Sequence, residues 1–284
     1  MGKIQWRTNV FELDLTYRCT LSCPNCTRRC DILPGEGTDI PLEAVKEMLR
    51  QTRKTGHVWN HILLMGGDPT LYPKLQEVLQ LLNEYKRTTQ ATRVSIVSND
   101  KTAYTKGVLS MLPDWVEQRR SPKDGSTRFS TKNDEFWTMN VAPVDFPEFA
   151  NFDYRRGCQQ QVRCGLAYTT SGWYFCSMMV GIDRVFRLRA GVKGLSDILR
   201  PIVYTKQLDV LCRFCGRIRV GFGLKQHEFQ TKEEVEMFKQ NIKTYPLYSG
   251  RLVLSQSYKK AIAEKGIKLY NSTEDEKEAT EESR

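Results

Sequence analysis

The chain has 284 residues, 40% of them apolar and 27% charged, which is globular composition and excludes a disordered or fibrous chain. No apolar run approaches the roughly 18–20 residues of a membrane span. The start, Met1-Gly2-Lys3-Ile4-Gln5-Trp6, has neither a signal peptide's apolar stretch nor a Ser/Thr at Trp6 for myristoylation, so a cytoplasmic protein is expected.

The net charge of +10 is unevenly spread. Residues 272–284 hold Glu274, Asp275, Glu276, Glu278, Glu281 and Glu282 against Lys277 and Arg284, with no apolar side chain larger than Ala279. A disordered acidic tail is expected there. The remaining body is more basic still, which an anionic partner would explain, be it nucleic acid, an acidic peptide or a phosphorylated substrate. Dispersed solvating lysines explain it equally well, and no dense Lys/Arg run favours nucleic acid.

In chain order, Val10-Phe11-Glu12-Leu13-Asp14-Leu15 alternates as a strand, and a cysteine loop follows it. Leu42, Val45 and Leu49 mark one face of a helix from near Pro41 to Gly56. Ile62-Leu63-Leu64-Met65 is a continuous apolar run, the pattern of a parallel strand buried on both faces. Leu75, Val78, Leu79, Leu82 and Tyr85 form the stripe of a second helix, and Val94-Ser95-Ile96-Val97 is a third strand. A short helix is expected near Val108–Leu112, a polar loop over Glu117–Glu135, and a strand at Phe136–Val141.

This β-α-β-α-β rhythm predicts a parallel sheet, whose ligands gather at the carboxyl ends of the strands. The character changes near residue 150. Leu166 to Phe175 reads as a hairpin turning near Ser171-Gly172. Further helices are expected from a Thr231 cap, with Val235 and Phe238 on the apolar face, and near Tyr258–Ala263.

Nine cysteines are many for a chain without a secretion signal, and in a reducing compartment clustered cysteines point to metal or redox chemistry. Only His57, His61 and His227 are present, which disfavours His-rich zinc sites and His-dependent nucleophilic catalysis. Cys19, Cys23 and Cys26 stand in a C-x3-C-x2-C pattern directly after the first strand. Three thiolates leave one iron of a 4Fe-4S cluster without a protein ligand, which an incoming chelating cofactor requires. Gly66-Gly67-Asp68-Pro69 ends the second strand, and Ser98-Asn99 ends the third.

These motifs, in this order on successive strands, resemble the radical S-adenosylmethionine (SAM) superfamily. The resemblance implies that SAM binds the open iron through its amino and carboxylate groups, and that its cleavage yields a 5′-deoxyadenosyl radical that abstracts hydrogen. It places Gly66, Gly67, Asp68 and Pro69 near the SAM amino group, and Ser98 and Asn99 close to SAM. Asp68 stands where members usually carry Glu, Asp100 where many carry Gly, and Asn25 where many carry an aromatic residue against the adenine. An electron donor such as flavodoxin or ferredoxin is implied as partner.

Cys158, Cys164, Cys176, Cys212 and Cys215 form a second group. The hairpin brings Cys164 and Cys176 to its open ends, and Cys212-Arg213-Phe214-Cys215 is a C-x2-C pair. The group resembles the auxiliary-cluster domains of radical SAM enzymes called SPASM and, when shortened, twitch. Five cysteines suit one further 4Fe-4S cluster, or a structural zinc. The run from Cys158 through Gly172 to Cys176 approximates the SPASM opening motif, so Cys158 and Cys164 compete as the remaining ligand, or one iron stays open. Cys30 has no assigned role beyond that of a buried or incidental thiol.

The expected fold is therefore α/β: a partial (β/α) TIM-type barrel over residues 1–150, a small cysteine-rich auxiliary-cluster domain with helices over 151–271, and the tail over 272–284. The expected activity is a radical SAM reaction on an unidentified small molecule or peptide, by alcohol oxidation or peptide modification. Arg155, Arg156, Arg187 and Arg189 are basic residues available to such a substrate. A zinc-stabilised nucleic-acid-binding protein is the alternative, favoured by the pI of 9.1 and the C-x2-C pair.

Overall fold

The computed structural model describes residues 6–21, 26–30, 33, 38–89, 92–120, 143, 152–158, 160–186 and 188–215. The expected strand at Phe136–Val141, the helices near Thr231 and Tyr258, and the acidic tail all lie outside the described residues. Among those described, no helix is long and apolar enough to cross a membrane.

Strands β1 (Val10–Thr16), β2 (His61–Gly66), β3 (Arg93–Ser98) and β4 (Val116–Arg120) alternate with helices α1 (Leu42–Thr55), α2 (Leu75–Thr89) and α3 (Ala103–Ser110). The four strands lie side by side in chain order and run parallel. Right-handed crossovers between successive neighbours place every helix on one face of the sheet, as in a barrel wall. On that face Phe11, Leu13, Ile62, Leu64, Val94 and Ile96 are buried to 1% exposure or less. They meet Val45, Met48 and Leu49 of α1 and Val78, Leu79 and Leu82 of α2 in one core. α1 ends at Gly56 in the left-handed conformation, whose N–H bonds back to Arg53 and Thr52.

Several expectations change in detail. Leu63 and Met65, read as buried on both sides, are only half-buried, whereas Ile62 and Leu64 on the opposite face are fully buried. β4 forms within the stretch expected to be loop. Its Glu117, Gln118 and Arg119 are exposed, so backbone pairing with β3 holds this edge strand and no apolar pattern announces it. α3 begins earlier than Val108, at a Thr102–Thr105 capping box.

The described strands after residue 150 join this sheet. β5 (Leu166–Thr169) pairs parallel with β1 on the flank opposite β2, and β6 (Gly172–Tyr174) pairs antiparallel with β5. The described strands thus make one six-stranded sheet in the order β4-β3-β2-β1-β5-β6. α1 spans the junction, since Gln51 accepts from the Trp173 indole and from the Leu195 amide. Trp59, Phe11 and Trp173 stack around the same point, with Trp59 and Trp173 centroids 5.6 Å apart.

The chain continues through α4 (Gln160–Cys164), α5 (Met179–Phe186), α6 (Leu195–Ile198) and α7 (Pro201–Leu211), with proline at the first helical position of α7. The segment before β1 reaches across to this part. Arg7 and Gln161 exchange two hydrogen bonds, and Trp6 meets the Phe175 and Tyr204 rings edge-on.

Candidate active site

The carboxyl ends of β1, β2 and β3 converge on the first cysteine loop. Cys19 and Cys26 are half-buried there, while Cys23 lies outside the described residues. Gly67 N–H donates to the Thr16 carbonyl at 2.8 Å and Asp68 N–H to the Arg18 carbonyl at 2.7 Å. The end of β2 is thereby bound to the start of the loop. The glycines are required by this contact: a Cβ on Gly66 would stand 2.0 Å from the Thr16 oxygen, and one on Gly67 2.2 Å from the Arg18 oxygen. Chain-to-chain contact by itself thus demands glycine at both positions.

Asp68 is fully buried and ties β2 to β3. One carboxylate oxygen accepts from the Thr70 amide and hydroxyl; the other accepts from the Ser98 hydroxyl and the Asn99 amide. Pro69 opens the short 3-10 turn that this carboxylate caps. Asn99 carries the tie onward. Its side-chain N–H groups reach the Cys19 sulfur at 3.8 Å and the Thr20 hydroxyl at 3.1 Å. Gly66, Gly67, Asp68, Pro69, Ser98, Asn99, Cys19 and Cys26 thus belong to one connected rim.

Behind the rim lies a buried ion cluster that sequence reasoning missed. Arg28, two residues past Cys26, donates to both Asp14 oxygens and to Glu12. All three are nearly inaccessible, so each charge depends on its partners. Burial raises the Glu12 pKa, against the opposing pull of Arg28. The alternation of β1 contained the signal: its polar positions are covered by the loop's own arginine instead of by water.

Cys30 also belongs here. Its thiol hydrogen-bonds the Cys26 sulfur, which, with backbone amides and the Arg29 guanidinium, lowers the Cys26 pKa to about 5 despite burial. Cys30 itself is held protonated by the same bond. Burial pushes the Cys19 thiol up.

The second group is of another kind. Cys158, Cys176, Cys212 and Cys215 are each 8% exposed or less and line one cavity with Gln160, Gln161, Met178, Met179 and Leu208. α7 and the 3-10 turn that follows it, Cys212–Phe214, deliver the C-x2-C pair. Cys164 ends α4 half-buried, near enough to raise the Cys176 pKa but off the cavity wall. Burial pushes the Cys176 and Cys212 thiols well above their ordinary value, and neighbouring cysteines add to it. No disulfide joins the described cysteines.

Among the described residues, no three His, Cys, Asp or Glu side chains are gathered tightly enough to hold a single metal ion. Soft thiolates are nonetheless the donors that iron–sulfur clusters take, and both groups supply them. Arg155 and Arg156 are committed to Asp153 on the surface, and Arg187 lies outside the described residues.

Residues 13–116 match the family model of the Radical SAM superfamily. The matched segment runs from β1 to the start of β4 and contains the whole first rim. A match to this family implies an enzyme with a 4Fe-4S cluster and SAM. No curated protein matches the chain significantly.

Proposed function

From a radical SAM domain built on the first strands, we propose that the chain is a radical SAM enzyme carrying two iron–sulfur clusters. Cys19, Cys23 and Cys26 would hold the first, and Cys158, Cys176, Cys212 and Cys215 the second. A bound cluster and SAM would supply radical hydrogen-abstraction chemistry toward a small molecule or peptide. The single observation that carries this reading is the rim, where the first cysteine loop is bonded to the ends of β2 and β3 inside the matched segment.

The chain's own residues have separable duties. Asp68 fixes the spacing of the β2 and β3 ends, and Asn99 donates to the Cys19 sulfur. Such donation disperses thiolate charge and favours the reduced state of a cluster. Arg28 keeps the loop seated on β1. Around the second cavity, Met178, Met179 and Leu208 hold water away from four buried thiols, an environment suited to passing electrons without ligand exchange. Cys158 is preferred over Cys164 as the fourth ligand because it faces the cavity. A flavodoxin or ferredoxin would supply the electron.

Anaerobic iron, sulfide and zinc analysis tests the reading first. About eight irons per chain are expected for two four-iron clusters; colourless protein with stoichiometric zinc after fair reconstitution would overturn it and favour the nucleic-acid-binding alternative. With a reductant, the loaded protein should release 5′-deoxyadenosine from SAM. Cys23→Ala should abolish that release, whereas Cys215→Ala should leave some cleavage without substrate turnover.

A further inference from the structure

α5 joins the two cysteine groups. Its first residue, Met179, lines the second cavity and donates its N–H to the Cys176 carbonyl at 3.1 Å. Two residues later the same helix touches the first loop. A Cβ built on Gly181 would stand 2.1 Å from the Thr27 carbonyl oxygen and 3.2 Å from Arg29 Cγ. No side chain fits between helix and loop, so the backbones meet directly. Three residues on, and so on the same helical face, Arg184 donates to the Arg28 carbonyl and lies 3.7 Å over the Tyr17 ring.

Thr27 and Arg28 are the two residues that follow Cys26, and α5 meets both: Gly181 packs against the Thr27 carbonyl and Arg184 donates to that of Arg28. The loop here is otherwise costly backbone: Arg29 is buried at 1% exposure with φ of 58°, a left-handed conformation that a long side chain adopts only when its surroundings enforce it. Gly181 and Arg184 are the enforcing surroundings on the α5 side. The radical SAM match ends at residue 116, so this contact comes from beyond the matched segment.

We propose that Gly181 is a positioning residue for the first cysteine centre: it seats the Cys26 loop on α5, and Arg184 latches it there. The consequence for metal loading rests on the function proposed above; the seating itself does not. Gly181→Ala places a methyl group against the Thr27 carbonyl and must lift the loop or shift the helix. Gly191→Ala is the matched control: its Cβ would stand 2.0 Å from the Ser171 carbonyl at the β5–β6 turn and 3.1 Å from the Tyr174 hydroxyl, which bonds Asp183 of α5, so it disturbs the surroundings of α5 without entering the Gly181–Thr27 contact.

The test uses the full chain in two states. In metal-free protein, thiol alkylation is followed residue by residue by mass spectrometry. Gly181→Ala should label Cys26 at least about tenfold faster than wild type, a local opening, with Cys176 and Cys212 unchanged; Gly191→Ala should leave Cys26 unchanged. In reconstituted, reduced protein, the change that SAM causes in the cluster's electron paramagnetic resonance spectrum should be lost in Gly181→Ala and kept in Gly191→Ala. Should Gly181→Ala fail to fold, Arg184→Met, which removes the latch without a clash, should raise Cys26 labelling in the same direction. Wild-type Cys26 labelling in both variants, or Cys26 and Cys176 rising together, overturns the proposal. If the wild type takes up no iron, the proposed function falls while the labelling still decides the seating.

Discussion

The two cysteine groups share one chemistry and differ in almost everything around it. The first lies on a loop at the carboxyl edge of the sheet, with half-buried sulfurs, hydrogen bonds from Asn99 and Cys30, and a buried Glu12–Asp14–Arg28 cluster beneath. The second is a cavity with four buried thiols, walled by Met178, Met179 and Leu208 together with Gln160 and Gln161. Open, polar and rim-mounted is what a centre that exchanges ligands requires; closed and apolar is what a centre that only stores or passes charge requires. Identical residue types therefore stand in different environments through burial and hydrogen bonding alone.

Arg28→Met should break the contrast most strongly, since it leaves Glu12 and Asp14 buried together without their cation. The expected loss is about 3–5 kcal/mol of unfolding free energy at neutral pH, read by chemical denaturation. Protonating the stranded carboxylates relieves their repulsion, so the variant should recover part of this loss as the pH is lowered; an equal loss at all pH values would argue against the ion cluster.

The contrast itself is measured by alkylating metal-free wild-type protein. Cys26, whose pKa is lowered to about 5, should react roughly a hundredfold faster than Cys176 and Cys212, which must wait for local opening and carry raised pKa values. Equal rates would mean that the second cavity is not closed.

Asp68→Asn should act on the first centre and spare the second. It turns part of an acceptor into a donor facing the Thr70, Ser98 and Asn99 donors, at a cost of about 2–3 kcal/mol. Cys19 labelling should rise while that of Cys212 stays put. Asp68→Glu should also destabilise, by about 1–3 kcal/mol, because the buried knot has no room for another methylene.

The smallest effect belongs to the opposite end of the strands. His61 is 5% exposed and bonds the Ser95 hydroxyl at 2.7 Å, and burial, helped by Arg119 and Arg93, lowers its pKa from 6.5 to about 4. Between those values the unfolded chain binds the proton and the folded one does not. His61 should therefore support stability fully above pH 6.5 and lose it as the pH falls toward 4, by roughly 1–2 kcal/mol at pH 5. In His61→Gln that portion of the pH dependence should vanish, with labelling at both cysteine groups unaltered.

Much of the frame was legible in the chain. Apolar spacing placed α1, α2 and the first three strands because each buries a continuous face against one core. β4 was illegible because backbone pairing at an edge leaves no mark on Glu117 to Arg120. The pairing of β5 with β1 was illegible too, a choice made by two strands about 155 residues apart. Cys30 offered no spacing that separated it from an incidental thiol; only the fold set it against Cys26.

By itself the sequence determined where the cysteines fall: three thiols spaced on a loop after a strand, motifs on the next two strand ends, and a later cysteine group. Local order sufficed for that, since loop spacing and strand periodicity are short-range properties. Tertiary structure decided which of those residues are free to meet a ligand. It committed Asp68 to the fold, closed Gly66 and Gly67 against β1, and buried Arg28 between Glu12 and Asp14. It also laid α5 on the Cys26 loop through a glycine. Each of these is a contact between segments distant in the chain, and distance in sequence is what local pattern does not encode.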